Sequence, residues 1–192
     1  MAETQRSSFL PAIAPTRSSL STDTPPLPCD LLLARSQSII SALPRDRYRS
    51  ALLIDQRPSD LTQLLALRCD RLLSVQTAES VAAPLPCQKW THVRCQHVRV
   101  PLEYPIETFD LTLVADVGHH WNRTELLLAQ RRIVKHLAPN AHLLLVHWRA
   151  APSAEQLHAD LIHDAMGRSA DLRHTKLVED AHYRIDLFER VS

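Results

Sequence analysis

Apolar residues along this chain fall into short continuous runs separated by stretches with helical spacing, which predicts buried strands linked by helices. The first such unit has a short aliphatic run at Ser50–Ile54, leucines at helical spacing over Leu61–Leu67, and a second run at Arg71–Val75. Between the first run and the helix, the polar segment Asp55–Asp60 contains a proline and breaks the pattern. The order strand, loop, helix, strand predicts the opening unit of a doubly wound α/β domain.

The rest of the pattern extends this unit into a larger sheet. Phe109–Ala115 is a continuous apolar run, as expected for a strand in the middle of a parallel sheet. Four further helices are predicted: Leu31–Leu43, Thr77–Ala83, a helix capped by Asn122 or Thr124 that runs through Leu137, and Glu155–Met166, which ends at Gly167. The further strands are predicted over Trp90–Val100 and Ala141–Trp148, followed by an antiparallel pair over Leu172–Glu179 and His182–Glu189. Asn140 is predicted to be a left-handed turn residue. Together they predict a mostly parallel sheet of about seven strands, with helices on both faces and a closing antiparallel strand pair.

Composition limits the classes to which the protein can belong. The chain has 192 residues, of which 45% are hydrophobic, and this suits one globular domain. Residues 1–28 are rich in Ser, Thr and Pro and are predicted to be a disordered tail, followed by one domain over 29–192. The formal net charge is only +1, so the charge balance predicts neither nucleic acid nor a membrane as a partner.

The sequence shows no signal-peptide pattern and no apolar run of membrane-spanning length, so we expect a cytoplasmic protein whose four cysteines are reduced. Two of the cysteines, Cys87 and Cys95, lie near His92 and His97. The spacing is not that of a standard zinc site, and in a strand His92 would lie on the face opposite Cys95 and His97. We therefore predict no metal site.

Candidate chemistry is concentrated directly after the fourth predicted strand, in Asp116-Val117-Gly118-His119-His120-Trp121. In open α/β sheets, ligands bind beyond the carboxyl ends of the strands. This segment would therefore face a bound ligand, and either His119 or His120 could accept a proton there. The alternative is a polar loop whose histidines face water, and the residues themselves favour neither interpretation.

The segment from Arg49 to Gln76 resembles the first motif of class I S-adenosylmethionine-dependent methyltransferases, and it is most similar to the nodulation protein S family of amino-sugar N-methyltransferases. Framing segments occur in the order found in that family: LPRDRYRSALLI, LTQLLALRCDRLLSV, FDLTLVADVGHHW, HLAPNAHLLLVHWR and YRIDLFER. The resemblance covers about residues 38–190 and implies a Rossmann-like methyltransferase fold.

The same resemblance implies S-adenosyl-L-methionine as the cofactor and assigns residues to its site. The implied cofactor-binding residues are Ile54, Asp55, Ser59, Gln76 and Ala115, and the implied catalytic residues are Asp116, His119, His120 and Trp121. His147–Arg149 and His163 also match family positions and could border the same cleft. The alternatives are a core aromatic for Trp148 and a histidine on the face of a helix for His163.

The cofactor loop departs from the family pattern. Leu53 stands where an acidic residue is expected, and Asp55–Ser59 contains no glycine. Gln76 stands where an acidic side chain would bind the ribose hydroxyls. Glycine lets backbone N–H groups approach a ligand, whereas proline removes a donor. Loss of two ligand hydrogen bonds at ~2 kcal/mol each would weaken binding roughly a thousandfold, so we expect a weakened or lost cofactor site.

Two functions therefore stay open. An active enzyme would N-methylate an amino sugar or oligosaccharide, and its partner would be that small-molecule or oligosaccharide acceptor. A chain without a working cofactor site would be a pseudo-methyltransferase that acts through a protein partner.

Overall fold

The computed structural model describes residues 28–56, 59–77, 89–149, 153 and 156–191. The helices in these ranges are α1 (Cys29–Ala42), α2 (Asp60–Ala66), α3 (Arg123–His136) and α4 (Ala159–Gly167), and a 3-10 turn covers Gly118–His120. The strands are β1 (Ala51–Asp55), β2 (Leu72–Gln76), β3 (Val93–His97), β4 (Phe109–Ala115), β5 (Leu137–Trp148), β6 (Leu172–Glu179) and β7 (Tyr183–Arg190).

Within the described ranges, seven strands form one sheet in the order β3-β2-β1-β4-β5-β7-β6. The first five are parallel to one another, whereas β7 runs antiparallel to both β5 and β6. The predicted α/β fold, with a mostly parallel sheet and a closing antiparallel pair, is therefore confirmed. The strand order reverses between β1 and β4, and open α/β sheets bind ligands at such a reversal.

Alternate residues of the central strands face two separate cores. On β1, Leu52 and Ile54 belong to the core under α3 and α4, whereas Ala51 and Leu53 belong to the core under α1 and α2. All four are fully buried. Because side chains alternate across a strand, burial on both faces requires the continuous apolar run that the sequence shows.

Two predicted elements are shorter in the structure. β3 is an edge strand limited to Val93–His97, inside the predicted Trp90–Val100, and its residues from Arg94 to His97 are at least partly exposed. α4 begins at Ala159, later than the sequence pattern predicts. Both differences lie at element ends, where few tertiary contacts fix the boundary.

β5 is longer than predicted because its first residues pair with β4 across a bulge. Phe109 of β4 pairs with Leu137 of β5, and the next paired residues are Leu111 and His142. More residues of β5 than of β4 therefore lie between these two pairs, which is a β-bulge. Asn140 lies in this irregular segment with φ of 58°. Its predicted left-handed conformation is confirmed, although it lies within a strand and not in a turn between elements.

The predicted tail and most of the predicted helix over Thr77–Ala83 lie outside the described residues. Cys29 and Cys69 carry free thiols, whereas Cys95 is disulfide-bonded. The prediction of reduced thiols is therefore wrong for Cys95, because sequence spacing alone does not show which sulfur atoms the fold brings within bonding distance. None of the described helices is long and apolar enough to cross a membrane.

A reciprocal pair of hydrogen bonds begins α3. The Asn122 side chain accepts from the Glu125 backbone N–H over 2.9 Å, and the Glu125 carboxylate accepts from the Asn122 N–H over 2.9 Å. Asn122, not Thr124, is therefore the cap of this helix.

We expect Asn122→Ala to lower the free energy of unfolding by about 1 kcal/mol, because the Glu125 backbone N–H at the helix start loses its side-chain partner. Urea denaturation followed by circular dichroism measures this change. The control is Thr124→Ala, an exposed position outside the cap, which should change stability by less than ~0.5 kcal/mol. A larger loss at Thr124 than at Asn122 would contradict the assignment of the cap.

Candidate active site

The carboxyl ends of β1, β2 and β4 meet at one edge of the sheet. Asp55 at the end of β1 is in register with Gln76 on β2 and with Ala115 on β4. The implied cofactor residues thus come together at the edge where parallel sheets bind ligands. Ile54 and Ala115 are 0% and 1% exposed and pack into the two cores, so their side chains support this edge from within.

A cleft of about 300 Å³ lies between α1 and this edge, and we call it the α1 cleft. It is lined by residues of α1, of the ends of β1 and β4, and of the start of α2: Leu32, Arg35, Ser36, Asp55, Ser59, Asp60, Leu61 and Asp116. The Ser59 hydroxyl donates a hydrogen bond of 2.5 Å to the Asp55 carboxylate. Two of the implied cofactor residues and one implied catalytic residue therefore share one cleft.

Asp116 is held in the α1 cleft by an arginine that the sequence did not single out. Nη2 of Arg35 donates to both carboxylate oxygens of Asp116 over 2.7 Å, and the Trp148 backbone N–H donates to Oδ1 over 3.1 Å. The Arg35 guanidinium also lies 4.2 Å from the centroid of the Trp148 ring, a cation–π contact. Both carboxylate oxygens of Asp116 are thus engaged in contacts within the protein.

A second cleft, of about 440 Å³, lies along the ends of β2 and β3, and we call it the Trp121 cleft. Its lining residues are Gln56, Thr77, Arg99, Val100, Leu102, Val117, His120, Trp121 and Glu125. Trp121 is 5% exposed, and its indole N–H donates to the Val100 carbonyl over 3.1 Å. That bond fixes the indole as a rigid apolar wall of this cleft.

The two histidines of the predicted catalytic segment have different surroundings. His119 is buried, and its Nδ1–H donates to the Leu157 carbonyl over 2.6 Å. His120 is exposed at the Trp121 cleft, with Nδ1 3.3 Å from the Gln156 side-chain amide. The alternative of a water-facing loop therefore applies to His120 and is wrong for His119, because α4 and the segment before it cover the His119 ring.

Behind His119, a chain of three buried side chains runs through the fold. Nδ1 of His147 lies 2.9 Å from Nε2 of His163, and Nδ1 of His163 lies 2.6 Å from a carboxylate oxygen of Asp186. All three residues are at most 1% exposed. The ring of His119 meets the ring of His147 edge to face, with centroids 5.0 Å apart. We call His147, His163 and Asp186 the histidine relay.

Burial sets the protonation of the histidine relay. It lowers the pKa of His147 well below the ordinary 6.5, and it lowers the pKa of His163 although the bond to Asp186 opposes this effect. Burial alone would raise the pKa of Asp186, but the hydrogen bonds from His163 and Arg184 outweigh it and lower this pKa to about 2. At neutral pH the relay therefore consists of two neutral imidazoles and one carboxylate.

Gly118 packs directly against the relay. Its backbone N–H donates to Nε2 of His147 over 3.2 Å. A Cβ at this position would lie 2.8 Å from that nitrogen and 2.9 Å from Cγ2 of Ile162. The φ angle of Gly118 is not positive, so glycine is required here by close approach and not by backbone conformation.

Arg35 and Asp186 are the site residues that sequence reasoning missed. Arg35 shares one helical stripe with the buried Ile39 and Ala42, so an arginine at an apolar-stripe position was the available signal. Asp186 lies between Ile185 and Leu187 on β7, in a stretch buried on both faces. Its burial depends on β6 and α4, which no local pattern predicts.

Two further features of the described ranges lie away from this edge. No group of three or more His, Cys, Asp or Glu residues is arranged to hold a metal ion there, and Nε2 of His92 bonds the Ala66 carbonyl over 2.9 Å. A cleft of about 500 Å³ opens at the opposite, amino-terminal edge, where Arg94 is paired with Glu107 over 2.6 Å. We favour the carboxyl edge as the site because parallel sheets bind ligands there.

We expect Gly118→Ala to lower the free energy of unfolding by about 1–3 kcal/mol, because the added methyl group overlaps His147 and Ile162. Gly167→Ala is the matched control, since a Cβ there would meet its nearest atom, in Phe188, at an ordinary 3.4 Å. Thermal and urea denaturation of both variants measure the difference. Equal losses at the two glycines would show that close packing against the relay is not what requires Gly118.

We expect the free energy of unfolding to fall as pH drops below about 6.5, because the unfolded chain then binds protons at His147 and His163 more readily than the folded chain does. Each such histidine contributes a slope of up to ~1.4 kcal/mol per pH unit. Urea denaturation from about pH 7.5 to about pH 5 measures this slope. His163→Gln should make it shallower, while His97→Gln, at an exposed position, should leave it unchanged. A slope that His163→Gln does not alter would contradict the prediction.

No protein-family model and no curated protein matches the chain. Solved structures do match it. N-methyltransferase NodS from Bradyrhizobium japonicum WM9 is 21% identical with a TM-score of 0.75, over 85% of this chain and 98% of that one. Its complex with S-adenosyl-L-homocysteine matches at 20% identity and a TM-score of 0.70, over 83% and 87% of the two chains.

A TehB-like SAM-dependent methyltransferase from Corynebacterium glutamicum is 14% identical with a TM-score of 0.63, over 84% of this chain and 93% of that one. At these identities the likeness concerns the fold. The chain therefore has the Rossmann-like fold of S-adenosylmethionine-dependent methyltransferases.

Proposed function

We propose that this protein is an S-adenosylmethionine-dependent methyltransferase that acts on an amine, with a cofactor site weaker than is usual for the fold. The observation that carries the proposal is the adjacency of the α1 cleft and the Trp121 cleft. Asp55 and Gln56 are consecutive, as are Asp116 and Val117, and each pair contributes one residue to each cleft. An elongated ligand at the carboxyl edge would therefore meet both clefts.

The α1 cleft suits the amino-acid end of the cofactor. A zwitterionic amino acid presents an ammonium group and a carboxylate, which call for an acidic and a basic partner. Asp55 and Arg35 both line this cleft. Nε of Arg35 is buried and has no hydrogen-bond partner among the described residues, and we propose a ligand carboxylate as its acceptor.

The nucleoside end would lie toward β2. Gln76 is 3% exposed at the strand end, and its amide nitrogen has no hydrogen-bond partner in the described part of the chain. A buried donor without a partner costs free energy, and a ribose hydroxyl oxygen would satisfy it. The neighbouring Thr77 lines the Trp121 cleft, whose indole wall suits a purine. A neutral amide replaces the acidic group of the family, which is consistent with weaker binding.

S-adenosylmethionine supplies an electrophilic methyl group, and the protein must mainly align the acceptor with it. We assign to His120, exposed at the Trp121 cleft, the acceptance of the proton from the amine. His119 and Asp116 are engaged with the protein itself and are assigned to hold the segment in place. The acceptor class that we propose, from the sequence resemblance, is an amino sugar or oligosaccharide.

Calorimetric titration with S-adenosyl-L-homocysteine tests the cofactor site, with adenosine triphosphate as a nucleotide that lacks the amino-acid end. We expect binding of S-adenosyl-L-homocysteine with a dissociation constant in the micromolar range or weaker, and no binding of the triphosphate at the same concentrations. No heat from S-adenosyl-L-homocysteine at millimolar concentration would refute the enzyme proposal.

The variant Gln76→Leu separates a ligand-binding role from a structural role. We expect it to weaken binding of S-adenosyl-L-homocysteine by about tenfold, while stability without ligand stays equal or rises because an unsatisfied buried donor is removed. Gln96→Leu, the same change at an exposed position on β3, should alter neither affinity nor stability much. A Gln76 variant that loses stability but keeps its affinity would show that this amide serves the fold.

The Arg35–Asp116 ion pair favours a second candidate, a pseudo-methyltransferase that acts through a protein partner. Arg35 already neutralises Asp116, one of the carboxylates that line the α1 cleft, and Leu32 and Leu33 on the same helix are 43% and 60% exposed. Light scattering and pull-down would test it. A monomer that captures no partner and binds S-adenosyl-L-homocysteine would exclude this candidate.

A further inference from the structure

The histidine relay has only one pattern of protons that satisfies every bond in it. The Gly118 backbone N–H can only donate, so Nε2 of His147 must accept and carries no proton. The proton of the neutral His147 ring is therefore on Nδ1, from which it is donated to Nε2 of His163. His163 then carries its own proton on Nδ1 and donates it to Asp186. One backbone amide thus fixes the tautomers of two buried rings.

This pattern has no place for an additional proton. A proton on Nε2 of His147 would face the Gly118 N–H and break their hydrogen bond. A proton on Nε2 of His163 would face the Nδ1–H of His147, and that ring would have to move its own proton to Nε2. Either way the bond to Gly118 is lost.

We propose that His147 and His163 are positioning residues for the segment Asp116–Trp121, held in their Nδ1–H tautomers by the Gly118 N–H at one end and by Asp186 at the other, and that uptake of one proton by either ring releases Gly118. The bonds and burial of the relay carry this inference, and it rests on the proposed function only where ligand binding is concerned. The 3-10 turn Gly118–His120 carries two of the proposed site residues, so release would displace both.

Charged and titratable groups on the elements packed around the relay influence whether its rings take up a proton. Arg35 on α1 and His119 on the 3-10 turn act on His147, and both disfavour its protonation. The groups around His163 and Asp186 are Arg184 on β7, Asp160 and Asp164 on α4, and His174 on β6, whose Nε2 lies 2.5 Å from Asp186. Of the two relay rings, only His163 is in direct contact with a carboxylate, so a proton taken up by the relay is expected to settle on His163.

The first experiment determines the tautomers of His147 and His163 directly. Long-range proton–nitrogen correlation spectra of protein labelled with nitrogen-15 histidine identify which ring nitrogen carries the proton, and His147→Gln and His163→Gln assign the signals. We expect both rings as neutral Nδ1–H tautomers at about pH 7.5, where the unfolded-state pKa of about 6.5 leaves a histidine mostly neutral. An Nε2–H tautomer on His147 would overturn the proposal.

The second experiment follows the backbone amide of Gly118 as the pH changes. The chain has only 2 glycines, so labelling with nitrogen-15 glycine gives two backbone amide signals, with Gly167 as an internal control. As pH falls from about 7.5 to about 5, we expect the Gly118 signal to shift and its hydrogen exchange to accelerate about tenfold relative to Gly167, as loss of one hydrogen bond would produce. If His147 or His163 titrates while the Gly118 amide signal stays unchanged, the proposed release of Gly118 is wrong. Loss of both glycine signals together, or the absence of any titration before unfolding, would also overturn it.

His163→Gln separates positioning from plain packing. Its amide can accept from His147 and donate to Asp186, so the bonding order survives while no proton can be taken up at this position. We expect Gly118 to stay anchored at neutral pH and its acid transition to move to lower pH. His163→Leu, which leaves His147 without an acceptor, should release Gly118 at all pH values. His142→Gln, at another buried histidine on β5, should leave the Gly118 transition unchanged.

Ligand binding connects the relay to the proposed site. We expect affinity for S-adenosyl-L-homocysteine to fall about tenfold from pH 7.5 to pH 5.5 in the wild-type protein and less than about threefold in His163→Gln. An equal fall in both proteins would show that the relay does not control the site. If S-adenosyl-L-homocysteine binds at neither pH, the proposed function fails, while the histidine and glycine spectra still decide the relay.

Discussion

The candidate site depends on how the chain leaves β4. At Asp116 the backbone turns left-handed, with φ of 57°, and at Gly118 it passes so close to His147 and Ile162 that no Cβ fits. A left-handed conformation costs an aspartate roughly 1–2 kcal/mol. Hydrogen bonds from Arg35 and from the Trp148 N–H to the Asp116 carboxylate offset this cost. The path of the segment that carries His119 and His120 is thus fixed from both sides, by α1 above the edge and by β5 beside it.

Two kinds of buried polar contact hold this path. The Arg35–Asp116 pair joins two oppositely charged side chains that are 9% and 18% exposed. The histidine relay consists of neutral rings whose bonds depend on which nitrogen atoms carry protons. Uptake of one proton by the relay, as proposed above, breaks the bond to Gly118 and loosens the segment at that residue.

The scarcity of glycine also limits how the backbone of this chain can approach a ligand. One of the 2 glycines, Gly118, lies directly after β4 against the histidine relay, and the loop between β1 and α2 contains none. A loop without glycine is less suited than a glycine-rich loop to bring a row of backbone N–H groups close to a phosphate-like or carboxylate ligand. At this edge two side-chain donors, the Gln76 amide nitrogen and Nε of Arg35, are buried without a hydrogen-bond partner among the described residues. Side-chain donors lose rotamer entropy on binding, and this cost is one reason why we propose a weaker cofactor site.

The sequence by itself determined the strands and their succession along the chain, because burial on both faces requires continuous apolar runs such as Phe109–Ala115 and these are visible locally. It also limited the cap of α3 to Asn122 or Thr124 and indicated the left-handed Asn140, since short-range side-chain chemistry governs both features. Only the tertiary structure decided that His119 is buried, that Arg35 reaches Asp116 across 81 positions of sequence, and that Asp186 closes the relay. These contacts join residues of α1, β4, β5, α4 and β7. A local pattern shows which face of an element is apolar, but which buried polar groups meet depends on how all five elements pack.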